Sequence, residues 1–368
     1  MSATPRTALV VLPTGLKGGA ESVALALVRQ LSREGWHVDV LAMSRGMQPA
    51  LRQVAQCANV AVTANAYRSE KASLPATVAQ IALRSRRRRY ALVYSTHLHV
   101  NAALGLMRRL GLLRCERLGA RESTVIFDRF HGLKRALFRA LYRIGYGPQD
   151  ALVLQTPEML RSLEAALGRC PVSNPIVLPN PIDLEPVRAA LAQAAPAAPA
   201  RKRVVACGRL IPIKGFAALV EAFSRVAGEF PDYDLELIGS GEEEARLKAM
   251  VDERAMADRV VFHGHQDCPW PLMKDADVGV VSSEREGFPN VLLEMMACSV
   301  RRIVATPCTA WVRTIPHITV CAATTADAIA EALRAELASA EDRSDRFMDY
   351  VRHTHSLPRF ASVVAGCA

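Results

Sequence analysis

The sequence predicts an α/β protein built from two doubly wound domains of parallel sheet. Short apolar strands alternate with amphipathic helical segments along the chain, which is the pattern that βαβ units produce. The alternation stops once, near the middle, and then restarts. At 368 residues the chain is also long enough for two separate cores. We therefore expect two domains that face each other across a cleft, with ligands at the carboxyl ends of the strands.

The first domain is predicted over residues 1–190. The apolar segment TALVVLP predicts its first strand, AESVALALVRQLSREG predicts an amphipathic helix, and HVDVLAM predicts a second strand. Two more strands are predicted at ALVYSTH and ALVLQT. The segment LAQAAPAAPARKR, residues 191–203, is low in complexity and contains two prolines, so we interpret it as a linker.

The second domain is predicted over residues 204–345. Its strands are indicated at RVVACG, DLELIGSG, RVVFHGH, ADVGVVSS and RRIVAT. Helices are indicated between them at GFAALVEAFSRVAGEF, EEEARLKAMVDERAM and NVLLEMMAC. No sequence repeat relates the two halves, so their expected similarity is one of architecture.

The composition favours a cytoplasmic globular protein. Half of the residues are apolar, but no run reaches the roughly 18 apolar residues of a membrane span. The N-terminus lacks a signal-peptide pattern. The nine cysteines are dispersed without a C-x-x-C pair, which favours reduced thiols over a disulfide framework or a zinc site.

Positive charge is concentrated in the first half of the chain. Residues 1–195 contain 26 Lys and Arg against 12 Asp and Glu, whereas the remainder contains 20 against 24. Such an uneven distribution of charge predicts a polyanionic partner. The alternatives are an anionic membrane face, a phosphorylated lipid and nucleic acid. An aromatic content of 5% and the lack of a recognised binding motif disfavour nucleic acid.

The most informative segment is SSEREGFPNVLLEMMAC, which begins at Ser282. A predicted strand ends just before it, and Pro289 suits the first turn of the helix that follows. The unpaired N–H groups and the dipole of that helix form an anion site. Glu294 is spaced to accept two hydrogen bonds from a ribose diol, and Glu286 to bind a second sugar. The alternative interpretation is a pair of surface glutamates near a helix start.

Two cations follow another strand of the same domain. In ACGRLIPIKGF, Arg209 and Lys214 lie between a strand end and the next helix, an arrangement that suits a diphosphate. The alternative is a pair of solvated loop charges. Glycine turns at later strand ends would let a ligand approach the backbone, although ordinary βα turns also need glycine. The residues at these strand ends are Gly239, Gly241, Gly264 and His265.

These motifs resemble those of the GT-B glycosyltransferases of family 4, a retaining group that uses nucleotide sugars. The similarity lies in GRLIPIKG, in LIGSG, and above all in the E-x₇-E block with its GFPNVLLE core. The first half is similar more loosely, through LKGGAESVALALVRQL, VYSTHLH, GARES and VLPNPID. The resemblance implies two Rossmann-like domains, with the acceptor on the first and the nucleotide sugar on the second.

The resemblance also implies roles for the second-domain residues. Glu294 would hold the ribose, Glu286 would contact the donor sugar, and Arg209 with Lys214 would neutralise the diphosphate in place of a metal ion. The helix start would supply further donor-binding residues: Gly287, Phe288, Pro289, Asn290 and Val291. No cofactor or metal is implied, and the donor is expected to carry UDP rather than GDP.

In the first domain the resemblance places His97 close to the donor sugar, with a satisfied core histidine as the alternative. His99 would face the opposite way if the strand continued. Gly15, Gly18 and Gly19 would bring backbone N–H groups to the diphosphate or to the acceptor. They do not form the G-x-G-x-x-G fingerprint, which disfavours a nicotinamide enzyme.

The remaining motifs are assigned by position. Arg121 and Glu122 are expected on the acceptor side or in the cleft, and Asn180 and Asp183 mark the turn before the hinge. Residues 346–368 resemble the family's C-terminal segment, which crosses back to brace the first domain.

One region departs from the family pattern. The family usually has a glycine after the segment that corresponds to EMMAC, and later a glycine pair followed by an acidic residue. Here Ser299 takes the first position, and a left-handed backbone there would cost roughly 1 kcal/mol. The later loop reads TPCTAWVRT, residues 306–314. Because this loop usually faces the donor, its change bears on donor choice and on activity.

Two cationic segments lie in the basic half. Arg84 and residues 86–89 end a predicted helix, and FDRFHGLKRALFRALYRIGY predicts an amphipathic helix with cations beside aromatic residues. We expect this face to meet anionic lipid of the inner leaflet and a polyprenyl-diphosphate-linked acceptor. The alternative is a solvated arginine face on a helix that packs against the core.

We therefore expect a metal-independent hexosyltransferase that uses a nucleotide sugar. Its acceptor would be a glycan or a polyprenyl-diphosphate-linked sugar in the assembly of O-antigen, capsule or exopolysaccharide. Two alternatives remain at this point. A nucleotide-sugar epimerase would turn over the donor without an acceptor, and a non-catalytic scaffold would bind nucleotide sugar or glycan without turnover.

Overall fold

We analysed a computed structural model of the protein, and the structure describes residues 6–15, 18–123, 127, 131–194 and 201–367. The chain divides into two compact units. The first contains the residues up to Pro181 and returns from His355 onward, and the second is Ile182–Thr354. Each unit contains its own parallel sheet, so the predicted pair of α/β domains is confirmed.

The first unit has a seven-stranded sheet flanked by helices. Its strands are Thr7–Thr14 (β1), His37–Ser44 (β2), Val60–Ala64 (β3), Tyr90–Ser95 (β4), Cys115–Glu122 (β5), Ala151–Leu154 (β6) and Pro175–Val177 (β7). Its first helices are Gly19–Arg33 (α1), Pro49–Ala55 (α2), Glu70–Arg87 (α3), Leu98–Arg109 (α4), Gly132–Gly145 (α5) and Pro157–Leu167 (α6). The spatial order β3-β2-β1-β4-β5-β6-β7 reverses direction between β1 and β4.

Alternation along β1 explains why this strand lies at the centre. Ala8, Val10 and Leu12 pack against α1 on one face, in a cluster that includes Leu27. Leu9 and its neighbours on the other face pack in a second cluster with residues of α3 and α4. Successive strand side chains point to opposite faces, so a strand covered on both sides must be apolar throughout.

The second unit has a six-stranded parallel sheet. Its strands are Lys202–Cys207 (β8), Tyr233–Ile238 (β9), Val260–Gly264 (β10), Val278–Val281 (β11), Arg302–Ala305 (β12) and Thr319–Val320 (β13). Its helices are Leu184–Gln193 (α7), Phe216–Val226 (α8), Glu244–Glu253 (α9), Trp270–Met273 (α10), Asn290–Ala297 (α11), Ala326–Ala338 (α12) and Ser344–Thr354 (α13). The order β10-β9-β8-β11-β12-β13 reverses direction between β8 and β11.

The last helix, Leu357–Ala365 (α14), belongs to the first unit. Phe360 and Val364 are buried in the cluster that covers β1 and β4. The Arg117 guanidinium on β5 donates to the Val364 carbonyl at 2.8 Å and to the Val363 carbonyl at 3.2 Å. The end of the described chain is therefore part of the first unit's core.

The unit boundaries differ from the predicted ones. Val187 of α7 is buried in a core cluster of the second unit, so the first unit ends at Pro181 rather than at residue 190. The predicted linker 191–203 begins inside α7 and ends inside β8, and residues 195–200 lie outside the described residues. Phe347 of α13 is buried in the same cluster, which moves the return to the first unit from residue 346 to His355.

In the parts of the chain that the structure describes, no helix is both long and apolar enough to cross a bilayer.

Candidate functional site

The point where strand order reverses positions the candidate site of the second unit. Loops that follow β8 and β11 leave their strands in opposite directions, which opens a crevice at the carboxyl edge of a doubly wound sheet. Arg209 and Lys214 lie on the first of these loops and Glu286 on the second. Residues 72 positions apart in the chain are thereby brought together.

An ion pair between Lys214 and Glu286 spans this crevice. The Lys214 ammonium donates to Glu286 Oε1, and the Ser283 hydroxyl donates to the same oxygen at 2.9 Å. The two charged side chains are 23% and 15% exposed, which leaves both of them accessible from solvent. A cation and a carboxylate held together in this way can bind an anionic group and a hydroxyl group side by side.

Backbone contacts fix the loop that carries Lys214. The Ser282 hydroxyl donates to the Lys214 carbonyl at 2.9 Å, and the Glu284 N–H donates to the Ile213 carbonyl at 2.9 Å. Gly215 has a φ of +66°, and a Cβ there would lie 2.1 Å from the Ser282 carbonyl oxygen. Only glycine permits both this conformation and this approach.

Helix α11 begins at Asn290, the first residue of the predicted segment NVLLEMMAC, but Pro289 does not lie where it was expected. Pro289 precedes the helix as its N-cap, so Pro289 does not occupy the first turn. Its backbone has φ −79° and ψ 84°, which is not a helical conformation. Glu294 and Val291 lie within the helix, and both side chains are partly exposed.

A second loop is attached to the segment that carries Glu286. The Glu286 N–H donates to the Cys308 carbonyl at 3.0 Å, and the Thr306 hydroxyl donates to the Ser283 carbonyl at 2.5 Å. The rings of Phe288 and Trp311 stack with centroids 4.2 Å apart. Both rings are largely buried. The loop that departs from the family pattern therefore packs directly on the candidate site.

Other predicted residues of this unit have environments of their own. Arg209 is exposed, and its side chain forms no ion pair or hydrogen bond with any residue that the structure describes. His265 is 72% exposed and lies 3.4 Å from the Asp267 carboxylate. A Cβ at Gly239 would lie 1.9 Å from the Gly208 carbonyl oxygen, and one at Gly241 would lie 2.2 Å from the Leu210 carbonyl oxygen. Close backbone packing is therefore sufficient reason for these two glycines.

Ser299 has the left-handed backbone that its position after α11 suggested. Its φ is +58°, as expected for a residue that ends a helix where glycine is usual. Gly264, at the end of β10, has a φ of +65°, and a Cβ there would meet no atom within 4 Å. Open space beside this turn leaves room for a ligand.

The first unit holds a histidine–carboxylate contact at its own reversal point. His97 follows β4 and is the N-cap of α4, while Glu21 lies in the first turn of α1, which follows β1. His97 Nε2 lies 3.5 Å from Glu21 Oε1, and His97 Nδ1 lies 3.1 Å from the Thr96 hydroxyl. Burial, with the nearby His99 and Arg121, lowers the pKa of His97 to about 4, so the imidazole is neutral near pH 7.

His99 does not face away from His97, because the strand continuation on which that expectation depended is absent here. The strand ends at Ser95 and helix α4 begins at Leu98, so strand alternation no longer applies. The two imidazole rings are 6.1 Å apart, and His99 Nε2 lies 2.9 Å from Glu70 Oε2. Burial lowers the pKa of His99 as well.

The N-terminal glycines surround the start of α1. Gly18 is its N-cap and Gly19 its first residue, whereas Leu16 and Lys17 of the same loop lie outside the described residues. A Cβ at Gly18 would lie 2.5 Å from Glu21 Oε2, so the glycine leaves room for this carboxylate. Gly15 packs against Leu51 instead.

Arg121 and Glu122 are buried rather than presented to an acceptor. Arg121 is fully buried and donates through Nη2 to Asn180 Oδ1. Glu122 Oε1 accepts from the Tyr146 hydroxyl and from Asn101 Nδ2, the latter at 3.2 Å. Burial raises the pKa of Glu122 to about 7. These residues organise the interior behind His97.

The turn predicted before the hinge is also internal. Asn180 and Asp183 are both buried, and Asp183 is the N-cap of α7. The Asn180 carbonyl lies 2.6 Å from His355 Nδ1. The turn is thus held by the segment that returns to the first unit.

Two carboxylates of the first unit were missed by the sequence analysis. Glu21 and Glu70 contact His97 and His99, and each lies in the first turn of its helix. An acidic residue in a first turn is favoured by the helix dipole alone, so the sequence gives no sign of these contacts. The Phe288–Trp311 contact was missed for the same reason, since aromatic residues 23 positions apart carry no pairing signal.

Helix α5 presents an exposed apolar stripe between cations. Leu133, Leu137 and Ile144 lie on one helical face and are 91%, 58% and 54% exposed. Tyr142 on the opposite face is buried in a core cluster of the first unit. The helix carries four cations and no acidic residue: Lys134, Arg135, Arg139 and Arg143.

Two family models match consecutive parts of the chain. Residues 17–186 match the model described as Glycosyltransferase Family 4. Residues 188–353 match the model described as Glycosyl transferases group 1.

Curated relatives match a shorter stretch. The lipopolysaccharide core biosynthesis glycosyltransferase LpsE of Rhizobium meliloti is 38% identical over 94 residues, which is 26% of this chain and 26% of that protein. The N-acetylgalactosamine-N,N'-diacetylbacillosaminyl-diphospho-undecaprenol 4-alpha-N-acetylgalactosaminyltransferase of Campylobacter jejuni is 32% identical over 98 residues, or 27% and 26% of the two chains. The chain therefore spans about a quarter of the length of these relatives.

Solved structures match along the whole chain. The crystal structure of HepE from Anabaena in complex with UDP-glucose has a TM-score of 0.74 and covers 98% of both chains. Its sequence identity of 15% supports a shared fold and nothing finer.

Proposed function

Because this chain belongs to the family 4 glycosyltransferases and has their two-domain GT-B fold, we propose that it is a retaining hexosyltransferase. It moves a sugar from a nucleoside diphosphate to a glycan or to a polyprenyl-diphosphate-linked acceptor during surface polysaccharide assembly. The observation that carries the proposal is the Lys214–Glu286 pair, which lies at the reversal point of the second sheet beside the start of α11.

The donor binds at the carboxyl edge of the second sheet. Glu294 holds the ribose, the start of α11 faces the diphosphate, and Glu286 binds hydroxyl groups of the sugar. Open space beside Gly264 suits the base or ribose. The complex of HepE with UDP-glucose supports UDP as the nucleotide.

Charge stabilisation of the leaving group is the main catalytic contribution of this site. The donor's C1–O bond to the diphosphate breaks while the acceptor oxygen bonds to C1 on the same face. The acceptor proton passes to a diphosphate oxygen. Lys214 turns from Glu286 toward the diphosphate, and the exposed Arg209 closes on it from solvent. Two cations placed in this way replace a metal ion.

The names of the relatives support a surface-polysaccharide acceptor. LpsE is named for lipopolysaccharide core biosynthesis, and the Campylobacter enzyme for a diphospho-undecaprenol substrate. The apolar stripe of α5 and its flanking cations suit the anionic surface of the inner leaflet, where a lipid-linked acceptor resides. We therefore assign α5 as the contact with the cytoplasmic face of the membrane.

One observation favours a second candidate function. Trp311 stacks on Phe288 where the family has a flexible glycine loop, so the donor side of the site is more rigid than usual. A rigid site that binds nucleotide sugar without turnover would act as a scaffold. Transfer and slow donor hydrolysis distinguish the two functions, because a scaffold shows neither.

The first test is a thermal-shift panel with UDP, GDP, ADP and their common sugars. A nucleotide at ~100 times its dissociation constant stabilises the unit that binds it by about 2.7 kcal/mol. We expect a shift with UDP and its sugars that Glu294→Ala removes. Glu284→Ala is the matched control, because Glu284 is an exposed carboxylate of the same segment. No shift with any nucleotide would exclude the proposed donor site.

Turnover is measured next. We expect UDP-sugar hydrolysis that survives EDTA and is lost in Lys214→Gln. The anomeric configuration of the transferred product, read by NMR, tests retention. Binding without any hydrolysis or transfer would favour the scaffold, and loss of activity in EDTA would contradict metal independence.

A further inference from the structure

An open groove of about 510 Å³ lies at the carboxyl edge of the first sheet, and neither His97 nor His99 lines it. Its walls are the loops that follow β2 and β3. Six residues line it: Arg45, Gly46, Gln48, Ala66, Tyr67 and Arg68. A volume in this range accommodates one or two sugar rings.

The two loops are tied together into one wall. The Arg45 N–H donates to the Tyr67 carbonyl and the Gly46 N–H to the Asn65 carbonyl, each at 2.9 Å. These bonds continue the parallel pairing of β2 with β3 beyond the ends of the strands. The groove therefore has a fixed floor rather than two independent loops.

Arg45 has a backbone conformation that arginine rarely adopts. Its φ is +67°, next to Gly46 at +65°. Glycine adopts this left-handed conformation without strain, but the residue at position 45 is an arginine. Strain of this kind collects at functional sites, because the fold must hold it in place. Arg45, the strained residue, is one of the residues that line the groove.

The charges of the groove are uncompensated. Neither Arg45 nor Arg68 forms an ion pair or hydrogen bond through its side chain with any residue that the structure describes. Both are exposed. Tyr67, which also lines the groove, is 41% exposed and offers an aromatic face. Guanidinium groups bind phosphate and carboxylate through paired hydrogen bonds, and aromatic faces pack against sugar rings.

We propose that the groove formed by Arg45, Tyr67 and Arg68 binds an acceptor sugar that carries a phosphate or a carboxylate group. As an acceptor subsite it rests on the proposed function, and it names the chemical class of the acceptor. The groove shares its sheet edge with the loops after β1 and β4, so an acceptor seated here extends toward His97.

The test measures direct binding of small probes by calorimetry. The probes are glucose 6-phosphate, glucuronate, glucose and inorganic phosphate. We expect at least one of the two anionic sugars to bind wild-type protein at least tenfold more tightly than glucose or phosphate alone. Arg45→Gly and Arg68→Gln should each weaken that binding at least tenfold, and Tyr67→Ala should weaken it while leaving phosphate binding unchanged.

Arg45→Gly separates loss of binding from loss of folding. Glycine accepts the left-handed conformation, so this variant should melt at the same temperature as wild type or higher while it loses the ligand. Arg52→Gln is the matched control, because Arg52 is an exposed arginine of α2 that does not line the groove.

Three outcomes would overturn the proposal. They are the absence of anionic-sugar binding, binding that survives both arginine variants, and inorganic phosphate that binds as tightly as the sugars. UDP binding in the thermal-shift panel is independent of this groove. Wild type that binds UDP but no anionic sugar would thus contradict the groove alone, whereas failure of UDP would contradict the proposed function.

Discussion

Glu122 shows how a single buried carboxyl group links the fold to pH. It accepts from the Tyr146 hydroxyl and from Asn101 Nδ2, and burial raises its pKa from 4.5 to about 7. Between these values the folded state binds the proton more tightly than the unfolded state. The stabilisation from this group is complete below pH 4.5 and is lost as pH rises through 7.

We predict that Glu122→Gln reduces the fall in stability between pH 5 and pH 8. Glutamine stays neutral at both pH values. The difference in unfolding free energy, wild type minus variant, should therefore be smaller at pH 8 than at pH 5 by roughly 2 to 4 kcal/mol. The free energy of unfolding in urea at the two pH values measures this difference. Glu116→Gln, an exposed position on the same strand, is the control.

The histidines act in the opposite direction and cancel in this comparison. Burial lowers the pKa of His97 and of His355 from 6.5 to about 4, so their stabilisation is present above pH 6.5 and is lost as pH falls through 4. Both variants retain these residues. Equal pH slopes for Glu122→Gln and wild type would show that Glu122 ionises normally.

At the scale of elements, the loop from Thr306 to Trp311 supports the segment that carries Glu286. The Thr306 hydroxyl of this loop donates a hydrogen bond to the Ser283 carbonyl, and a backbone carbonyl of the loop accepts one from the Glu286 N–H. The Trp311 ring packs on Phe288. The segment that carries Glu286 is therefore positioned by a neighbouring loop, while Ser283 of the same segment holds the Glu286 carboxylate. In the proposed donor site, the identity of this loop would contribute to donor choice.

We predict that Trp311→Ala weakens UDP-glucose binding about tenfold more than it weakens UDP binding. In the proposed site the stack positions Glu286, which would contact only the sugar. A tenfold change in affinity corresponds to about 1.4 kcal/mol. Calorimetric titration of both ligands gives the ratio of affinities. Trp311→Phe keeps the aromatic contact and should restore the wild-type ratio.

A purely structural role for Trp311 would give another result. Truncation of a buried tryptophan destabilises a protein by roughly 3 to 5 kcal/mol, and this would lower the affinity for UDP and for UDP-glucose in parallel. A parallel loss therefore contradicts the positioning role.

The elements themselves could largely be predicted from the sequence. Strands such as β1 and β11 are continuous apolar runs, and helices such as α8 repeat apolar residues at helical spacing, so local periodicity identifies both. Element ends were less accurate, because Pro289 fits both an N-cap and a first turn. Ser299 has the left-handed backbone that its position after a helix suggests.

The candidate site was predicted only where its residues are close in the chain. The spacing of Glu286 and Glu294 is local, and the donor-binding roles of the second domain were predicted from the segment that contains them. The contacts of Lys214 with Glu286 and of His97 with Glu21 join residues far apart in sequence, and the order of strands decides them. The burial of Arg121 and Glu122 is likewise a property of the packed unit.

At the scale of the whole molecule, positive charge and exposed apolar side chains occur in the same unit. Among the large apolar side chains that the structure describes as exposed, eleven lie in the first unit and two in the second. The first half also carries the excess of Lys and Arg. A surface that is both cationic and apolar favours an anionic bilayer over either a protein core or water.

We predict that the protein binds vesicles with 30% anionic lipid (the remainder zwitterionic), and that binding falls as salt rises from 50 to 300 mM. The double variant Leu133→Asn with Leu137→Asn should reduce the partition coefficient by roughly tenfold, since it removes apolar area from the contact. Vesicle sedimentation measures the bound fraction.

The control for this experiment is Leu83→Asn. Leu83 is 51% exposed and lies on α3 among arginines, so it matches the charge environment without belonging to the stripe on α5. An equal loss of binding in the control would assign the contact to the basic half in general. Unchanged binding in the double variant would contradict the role of α5.

The return of α14 to the first unit has a consequence for biosynthesis. The ribosome makes the second unit as one uninterrupted stretch, Ile182–Thr354, which has all of its own strands when its last residue emerges. The first unit begins earlier but lacks Phe360, Val364 and the carbonyls that Arg117 binds until residues 357–365 have been translated. The unit synthesised first is therefore the one completed last, and its β1–β4 face needs protection from aggregation while the rest of the chain is made.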